Sequence, residues 1–290
     1  MRKQTNKRRV IQLDRFGFNR CLDFGYYRYN TVEPILDDHQ HKDVLEICFC
    51  LKGRQYYQIG ENLIKLTGNH ILIVPPNVDH GSGVYPEDIG ELYWLQLSLD
   101  SSKGPLFHLP DEQSDFLLQK LVENGGELIK GAFGVESLLE KLMVLLENPN
   151  DVFNRLQIGQ SIIQLLIEVC ALSDTLQPVE DSERISLLKD YIEKNLHRTI
   201  YVDELADLVN FSVPYLKSWF KLNFGVPPRA YVNRSKIEKA KIQLIDTKSI
   251  TTVAYELGFG SSQYFATTFK KYTGMSPRKF KAAALQTEGF

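Results

Sequence analysis

The second half of the chain repeats itself, and no other feature limits the possible folds as much. Leu205-Ala206-x-x-Val209-Asn210-Phe211 returns as Val253-Ala254-x-x-Leu257-Gly258-Phe259, 48 residues later. Tyr215-Leu216-x-x-x-Phe220-Lys221-x-x-x-Gly225-x-x-Pro228 returns as Tyr264-Phe265-x-x-x-Phe269-Lys270-x-x-x-Gly274-x-x-Pro277, 49 residues later. The offset changes by one between the two blocks, in the turn, where an insertion costs least. Each copy reads as a helix, a tight turn and a second helix. Small Ala206 and Ala254 permit a close helix crossing. The aromatic and leucine positions at four-residue spacing form a buried face, and the glycines end the second helix.

Charge separates this half from the rest. From 184 to 290 there are 17 Lys+Arg against 9 Asp+Glu, a balance of +8, which leaves −10 for residues 1 to 183 out of a total of −2. Such a split suggests that only the basic half meets a polyanion. A length of 290 residues also suggests two domains. No run approaches the roughly 18 consecutive apolar residues of a membrane span. The start, MRKQTNKRRV, is basic without the apolar run of a signal peptide. Four cysteines are too few for a disulfide scaffold and lack CxxC spacing. The expectation is a cytoplasmic protein with reduced thiols and no membrane partner.

The acidic half changes period along its length. From Gly25 to Leu99 short alternating runs are punctuated by Gly and Pro, as in a small antiparallel β barrel or sandwich. In Leu45 to Lys52 the large apolar residues share one face, and Gly53-Arg54 reads as the strand's end. Gly60-Glu61-Asn62 is a hairpin signal, and Pro75-Pro76 stops the strand His70 to Val74. Asp111–Glu123, Gly134–Glu147 and Asp151–Leu172 have helical spacing. The polar stretch around Pro178 reads as a linker over 174–183, between a domain at 1–173 and one at 184–290.

Phe269-Lys270-Lys271-Tyr272-Thr273-Gly274-Met275-Ser276-Pro277-x-x-Phe280, with Ala254-x-x-Leu257-Gly258-Phe259 before it, resembles the C-terminal signature of AraC/XylS-type transcriptional regulators. The likeness covers 185 to 284. It implies an all-α domain of two helix-turn-helix units joined by a long helix, here Ala230 to Leu244, whose second helices enter successive major grooves. In the first reading helix, Val213 to Asn223, spacing makes Leu216, Trp219 and Phe220 core and leaves Pro214, Lys217, Ser218 and Lys221 outward. In the second, near 262–272, Ser261, Ser262, Gln263, Thr267 and Lys270 are free to face a groove. The resemblance maps the base-contacting positions onto Pro214, Lys217 and Ser218, and onto Ser262, Gln263, Ala266 and Thr267. Gln pairs with adenine and Lys reaches guanine. Lys221, Lys270, Lys271, Arg278 and Lys279 read as phosphate contacts. Neither reading helix contains arginine, the commonest base reader.

In the front half, His39-x-His41-x4-Glu46-x6-Gly53 resembles the first motif of the cupin barrel, and Pro75-Pro76-x-x-x-His80 the second. His39, His41, Glu46 and His80 form a set that could hold a divalent metal or serve as hydrogen-bonding groups around a ligand. The second reading is the one adopted, with no cofactor. By resemblance to sugar-sensing members, Trp94 and Gln96 line the cavity and Lys52 sits near its mouth. Tyr26, Tyr27 and Tyr56 could join.

These expectations make a mixed two-domain protein: an N-terminal cupin-like effector domain with helices that dimerise, followed by a double helix-turn-helix. The implied function is a ligand-responsive transcription regulator of the activator kind, and not an enzyme. Its implied partners are promoter DNA, a small-molecule effector such as a sugar, RNA polymerase and a second copy of the chain. The alternative is a metal-dependent cupin enzyme with a helical appendage, for which a duplicated helix-turn-helix has no use. No Ser-His-Asp arrangement or phosphate-cradling Gly loop is present.

Overall fold

The structure is a computed structural model that describes residues 7–131, 133–174, 179–245 and 249–287. The chain divides into two compact units near residue 176.

The described residues before Asp111 and between the helices form ten strands: β1 (Lys7–Gln12), β2 (Cys21–Tyr29), β3 (Glu33–Ile35), β4 (Val44–Ile59), β5 (Asn62–Thr67), β6 (His70–Val74), β7 (His80–Gly81), β8 (Pro86–Glu87), β9 (Gly90–Ser98) and β10 (Leu128–Lys130). Eight of them form one antiparallel sheet in the order β1-β2-β9-β4-β6-β10, with β5 and β7 also on β4. β3 and β8 pair separately. The alternation along β4 sorts its side chains between two cores. Leu45, Ile47, Phe49 and Leu51 join the core shared with the helices, whereas Cys48, Cys50, Tyr57 and Ile59 join a second core with Tyr27, Leu92 and Trp94.

β4 does not end at Gly53. It bends there and continues for six residues to pair with β5 and β7. Gly53 has φ +91°, and a Cβ would lie 2.1 Å from the Ile89 carbonyl oxygen, so only glycine admits the crossing strand. The hairpin at Gly60-Glu61 and the stop after Val74 form as read.

Helices α1 (Asp111–Glu123), α2 (Phe133–Leu145) and α3 (Val152–Ser173) follow. Asp151 caps α3 by accepting the Asn154 N–H at 2.8 Å. By length and a mean hydropathy of 1.4, α3 is apolar enough to cross a membrane; one of its faces buries Ile158, Ile162, Leu165, Leu166 and Val169 in the core.

Past residue 177 the described elements are all helices: α4 (Val179–Lys194), α5 (Val202–Leu208), α6 (Val213–Phe224), α7 (Pro228–Ile245), α8 (Ile250–Glu256), α9 (Ser262–Thr273) and α10 (Pro277–Thr287). α4 begins inside the segment read as linker; residues 175–178 lie outside the described residues. The sequence repeat is a structural one, α5–α6 and α8–α9, each with its own core. α7 serves both, giving Val232 to the first core and Ile237, Ala240 and Leu244 to the second.

Candidate functional site

Two places gather polar groups, one in each unit. In the helical unit α6 and α9 are built alike. Ser212 and Ser261 cap them, each hydroxyl oxygen accepting from a tyrosine N–H three residues on, at 3.4 and 3.1 Å. Gly225 and Gly274, at φ +70° and +77°, close them in the left-handed conformation. Leu216, Trp219 and Phe220 are buried in α6, and Phe265, Thr268 and Phe269 in α9. The remaining faces present Pro214, Lys217 and Ser218 on one helix and Gln263, Thr267 and Lys270 on the other, all exposed. Lys221, Ser262 and Ala266 are half-buried at the edge of these faces. Lys271, Arg278 and Lys279 are exposed beyond them.

Two details differ from the sequence reading. Ser261 spends its oxygen as a helix cap. Tyr215 and Tyr264, which four-residue spacing assigns to the buried face, are 55% and 41% exposed. Each occupies the first turn of its helix, where the side chain leans back over the preceding turn and not onto the core.

In the sheet unit a cavity of about 120 Å³ opens between β4, β9 and β1. Trp94 and Gln96 line it from β9, Glu46 and Tyr57 from β4, His39 and His41 from the connection before β4, and Arg8 from β1. His39 and His80 exchange backbone hydrogen bonds at 2.9 Å in each direction, which brings the three imidazoles together with ring centroids 4.3 to 5.3 Å apart. Glu46 is buried. Its Oε2 accepts from Gln96 Nε2 at 2.8 Å and its Oε1 from the Cys48 thiol at 3.2 Å, while His41 Nε2 lies 3.6 Å away.

Burial pushes the Glu46 carboxyl up, but the His41 ring and the bonds from Gln96 and Cys48 outweigh it and hold the carboxyl below its ordinary range. Glu46 in turn raises the His41 imidazole above its usual value. His80, desolvated, is lowered, and its Nε2 has no hydrogen-bond partner among the described residues.

The histidines suit a divalent ion in their chemistry. His39 and His80 each direct Nδ1 at a backbone carbonyl, of Asp37 at 2.8 Å and of Val78 at 3.0 Å, which leaves Nε2 as the ligand atom. The three ligand atoms lie within 4.8 Å of one another. Glu46 is not within that cluster of ligand atoms; it stands beside it, with Oε2 3.6 Å from His41 Nε2 while accepting from Gln96.

The sequence matches an AraC-like ligand binding domain over residues 26–166 and a helix-turn-helix domain over 205–283. The chain belongs to the AraC-type transcriptional regulators. It is 24% identical over 264 residues to an uncharacterized HTH-type transcriptional regulator of Staphylococcus aureus, covering 88% of this chain and 34% of that one. The chain thus spans about a third of the length of the curated relatives it matches first. Over 117 residues it is 32% identical to the bifunctional transcriptional activator/DNA repair enzyme AdaA of Bacillus subtilis, covering 40% of this chain and 56% of that one. Among solved structures, the C-terminal domain of the two-component response regulator yesN from Fusobacterium nucleatum aligns at 30% identity, over 34% of this chain and 98% of its own, with a TM-score of 0.33.

In this AraC-type regulator Lys52 is not at the cavity. It pairs across strands with the buried Glu91 at 2.6 Å, and Arg28 takes the other oxygen at 2.7 Å. A register shift in the β4–β9 ladder between Cys50 and Lys52 breaks the alternation that aims Glu46, Cys48 and Cys50 inward. Of the tyrosines, Tyr27 lines the cavity, Tyr26 packs on Tyr93 in the helix-facing core, and Tyr56 stacks on Tyr85. Arg8 was not legible as a site residue. It donates to Tyr29 Oη at 3.1 Å and Glu87 Oε1 at 2.8 Å, with its guanidinium 5.0 Å over Trp94. Nothing in the basic run around it alternates, so no signal marked β1 as a strand.

The regulator's Glu46–His41 pair has a defined pH signature. A depressed Glu46 stabilises the fold above the ordinary 4.5 and loses that contribution as pH falls through its native value. A raised His41 contributes fully below the ordinary 6.5 and loses it as pH rises through its native value. Glu46→Gln should therefore cost about 1–2 kcal/mol between those values and less on either side. Urea unfolding of the sheet unit across pH measures this; a cost independent of pH would contradict the pairing.

Proposed function

We propose that this AraC-type regulator is a one-component, ligand-responsive transcription factor acting in the cytoplasm, and not an enzyme. Its helical unit reads promoter DNA with α6 and α9 in successive major grooves. The observation that carries this is the duplication of an exposed polar face, Pro214-Lys217-Ser218 and Gln263-Thr267-Lys270, on two helices capped and closed the same way. A helix fits the major groove, where base edges are distinguishable. Exposed Lys271, Arg278 and Lys279 serve the phosphates, alongside Lys221 and Lys270.

The cavity at Trp94, Gln96, His39 and His41, with His80 behind the two histidines, takes the effector, with the histidines as hydrogen-bonding groups. An aromatic plane beside polar groups suits a small polar molecule such as a sugar. At about 120 Å³ it holds less than a hexose while Arg8 stays in place, so a larger effector displaces Arg8. Binding shifts the regulator between states that differ in effector affinity. The outward Phe116, Val144, Phe153 and Leu156 of α1–α3 support a homodimer through these helices. RNA polymerase is the partner through which promoter binding acts.

Binding-site selection on random DNA, with and without a panel of sugars at fixed salt, is the experiment for this reading. Lys217→Ala and Gln263→Ala should each cost about 1–3 kcal/mol, and only for the half-site that residue reads. A loss uniform over all sequences would reassign both residues to phosphate contacts. No sequence preference at all would overturn the reading, and stoichiometric metal in the purified protein would replace the hydrogen-bonding role of the histidines.

A further inference from the structure

The two reading units have separate hydrophobic cores that share α7, and where their turns meet the side-chain link is polar. α7 crosses from one core to the other, and at the crossing it carries a lysine. Lys236 is 4% exposed, and its ammonium donates to the Arg198 carbonyl at 2.9 Å and the Gly258 carbonyl at 3.2 Å, with the Phe259 ring 5.3 Å away. These acceptors belong to different units. Arg198 precedes α5, and its guanidinium is fixed there by Glu204 at 2.8 Å, Tyr191 Oη at 2.9 Å and Asn195 Oδ1 at 3.1 Å. Gly258 lies in the turn from α8 to α9, four residues before the second reading helix begins. The backbones also touch directly: a Cβ on Gly258 would stand 2.6 Å from Arg198 Cα.

A buried lysine between apolar cores is a costly choice unless its donors are used. Desolvation pushes this one down to about 8. Packing alone would accept methionine or leucine at the same place. A lysine instead ties two backbone carbonyls to one point, which fixes direction as well as distance.

We infer that Lys236 is a positioning residue that sets where the second reading helix stands relative to the first, and so the half-site spacing the regulator accepts. It is buried away from the reading faces and acts through Arg198 and Gly258. The inference rests on the reading of two grooves by α6 and α9. Adding one base pair between half-sites turns the far one by roughly 35° and moves it about 3.4 Å, beyond what a clasped pair of helices can follow.

The experiment uses the full chain and the duplex recovered by binding-site selection, with the spacer between half-sites shortened or lengthened by one and two base pairs, at one salt concentration. Wild type should lose about tenfold or more in affinity per inserted base pair, the size of a base mismatch. Lys236→Met should lose less than about threefold for the same insertion while binding isolated half-site duplexes as wild type does. Lys236→Arg, which retains donors, should restore the steep profile. If Lys236→Met does not fold, Lys236→Gln, too short to span both carbonyls, makes the same comparison. A steep profile shared by wild type and the folded variant would overturn the role of Lys236 alone. A flat profile in wild type would overturn the two-groove reading and this inference together.

Discussion

Gly258→Ala is expected to destabilise the helical unit by about 2–5 kcal/mol, whereas Asn210→Ala, its counterpart in the first repeat, should cost only about 1–2 kcal/mol. The two positions share a backbone conformation, φ +61° at Gly258 and +57° at Asn210. Asparagine tolerates the left-handed region and alanine does not, which sets the common part of the cost at about 1–2 kcal/mol. Their surroundings differ. Asn210 is exposed, while a Cβ at 258 would meet three backbone atoms of Arg198 at 2.6 to 2.8 Å. Backbone cannot swing aside as a side chain does, so overpacking adds about 1–3 kcal/mol. For a unit of this size the sum lowers the melting temperature by about 8 °C or more. With Trp94 replaced by Phe, Trp219 is the one tryptophan left of 2, and its fluorescence follows this unit alone. Gly258→Asn separates the causes: it relieves the conformational strain and keeps the collision. Equal melting temperatures for Gly258→Ala and Asn210→Ala would show that the backbones of 198 and 258 do not meet.

Those two positions also show what a sequence can and cannot disclose. Aligning the repeats pairs Asn210 with Gly258, and that pairing correctly marks a turn in both copies. The helices, their caps and the buried faces follow from spacing because those relations are local. The alignment says nothing of Arg198, which is 60 residues from Gly258 and enters only through folding. The same limit explains Lys236: on a helical wheel it is one more basic residue. In the sheet unit, alternation sorts β4 into two faces and brings Glu46 inward with Gln96 and the histidines. It fails at Lys52, because a register shift in the ladder changes the face without any mark in the sequence. At Glu46 the side of the strand is legible, but the hydrogen bonds from Gln96 and Cys48 that it accepts beside His41 are not. Arg8 was beyond reach because its strand has no period and its partners Tyr29 and Glu87 come from elsewhere in the sheet.

Gly25→Ala is expected to abolish effector binding while leaving DNA affinity and most of the stability intact. Gly25 lies directly opposite Trp94 in the β2–β9 ladder, and the indole rests on it. A Cβ at 25 would fall 1.8 Å from Trp94 Cε2 and 2.0 Å from Cζ2, so the ring must leave the strand. On its other side are the cavity of about 120 Å³ and the Arg8 guanidinium, 5.0 Å from the ring. The indole therefore moves into the space the effector needs. Pushing the buried indole toward a cavity costs about 1–3 kcal/mol of stability, less than the 3–5 kcal/mol expected for Trp94→Ala. The effector, identified by a thermal-shift screen of wild type against sugars and other small polar molecules, should bind Gly25→Ala at least about a hundredfold more weakly. Trp94→Ala should also lose the effector, but through an enlarged cavity without its aromatic plane. A ligand that binds Gly25→Ala as tightly as wild type does not occupy this cavity, and the sensing role would then have to be sought elsewhere in the sheet unit.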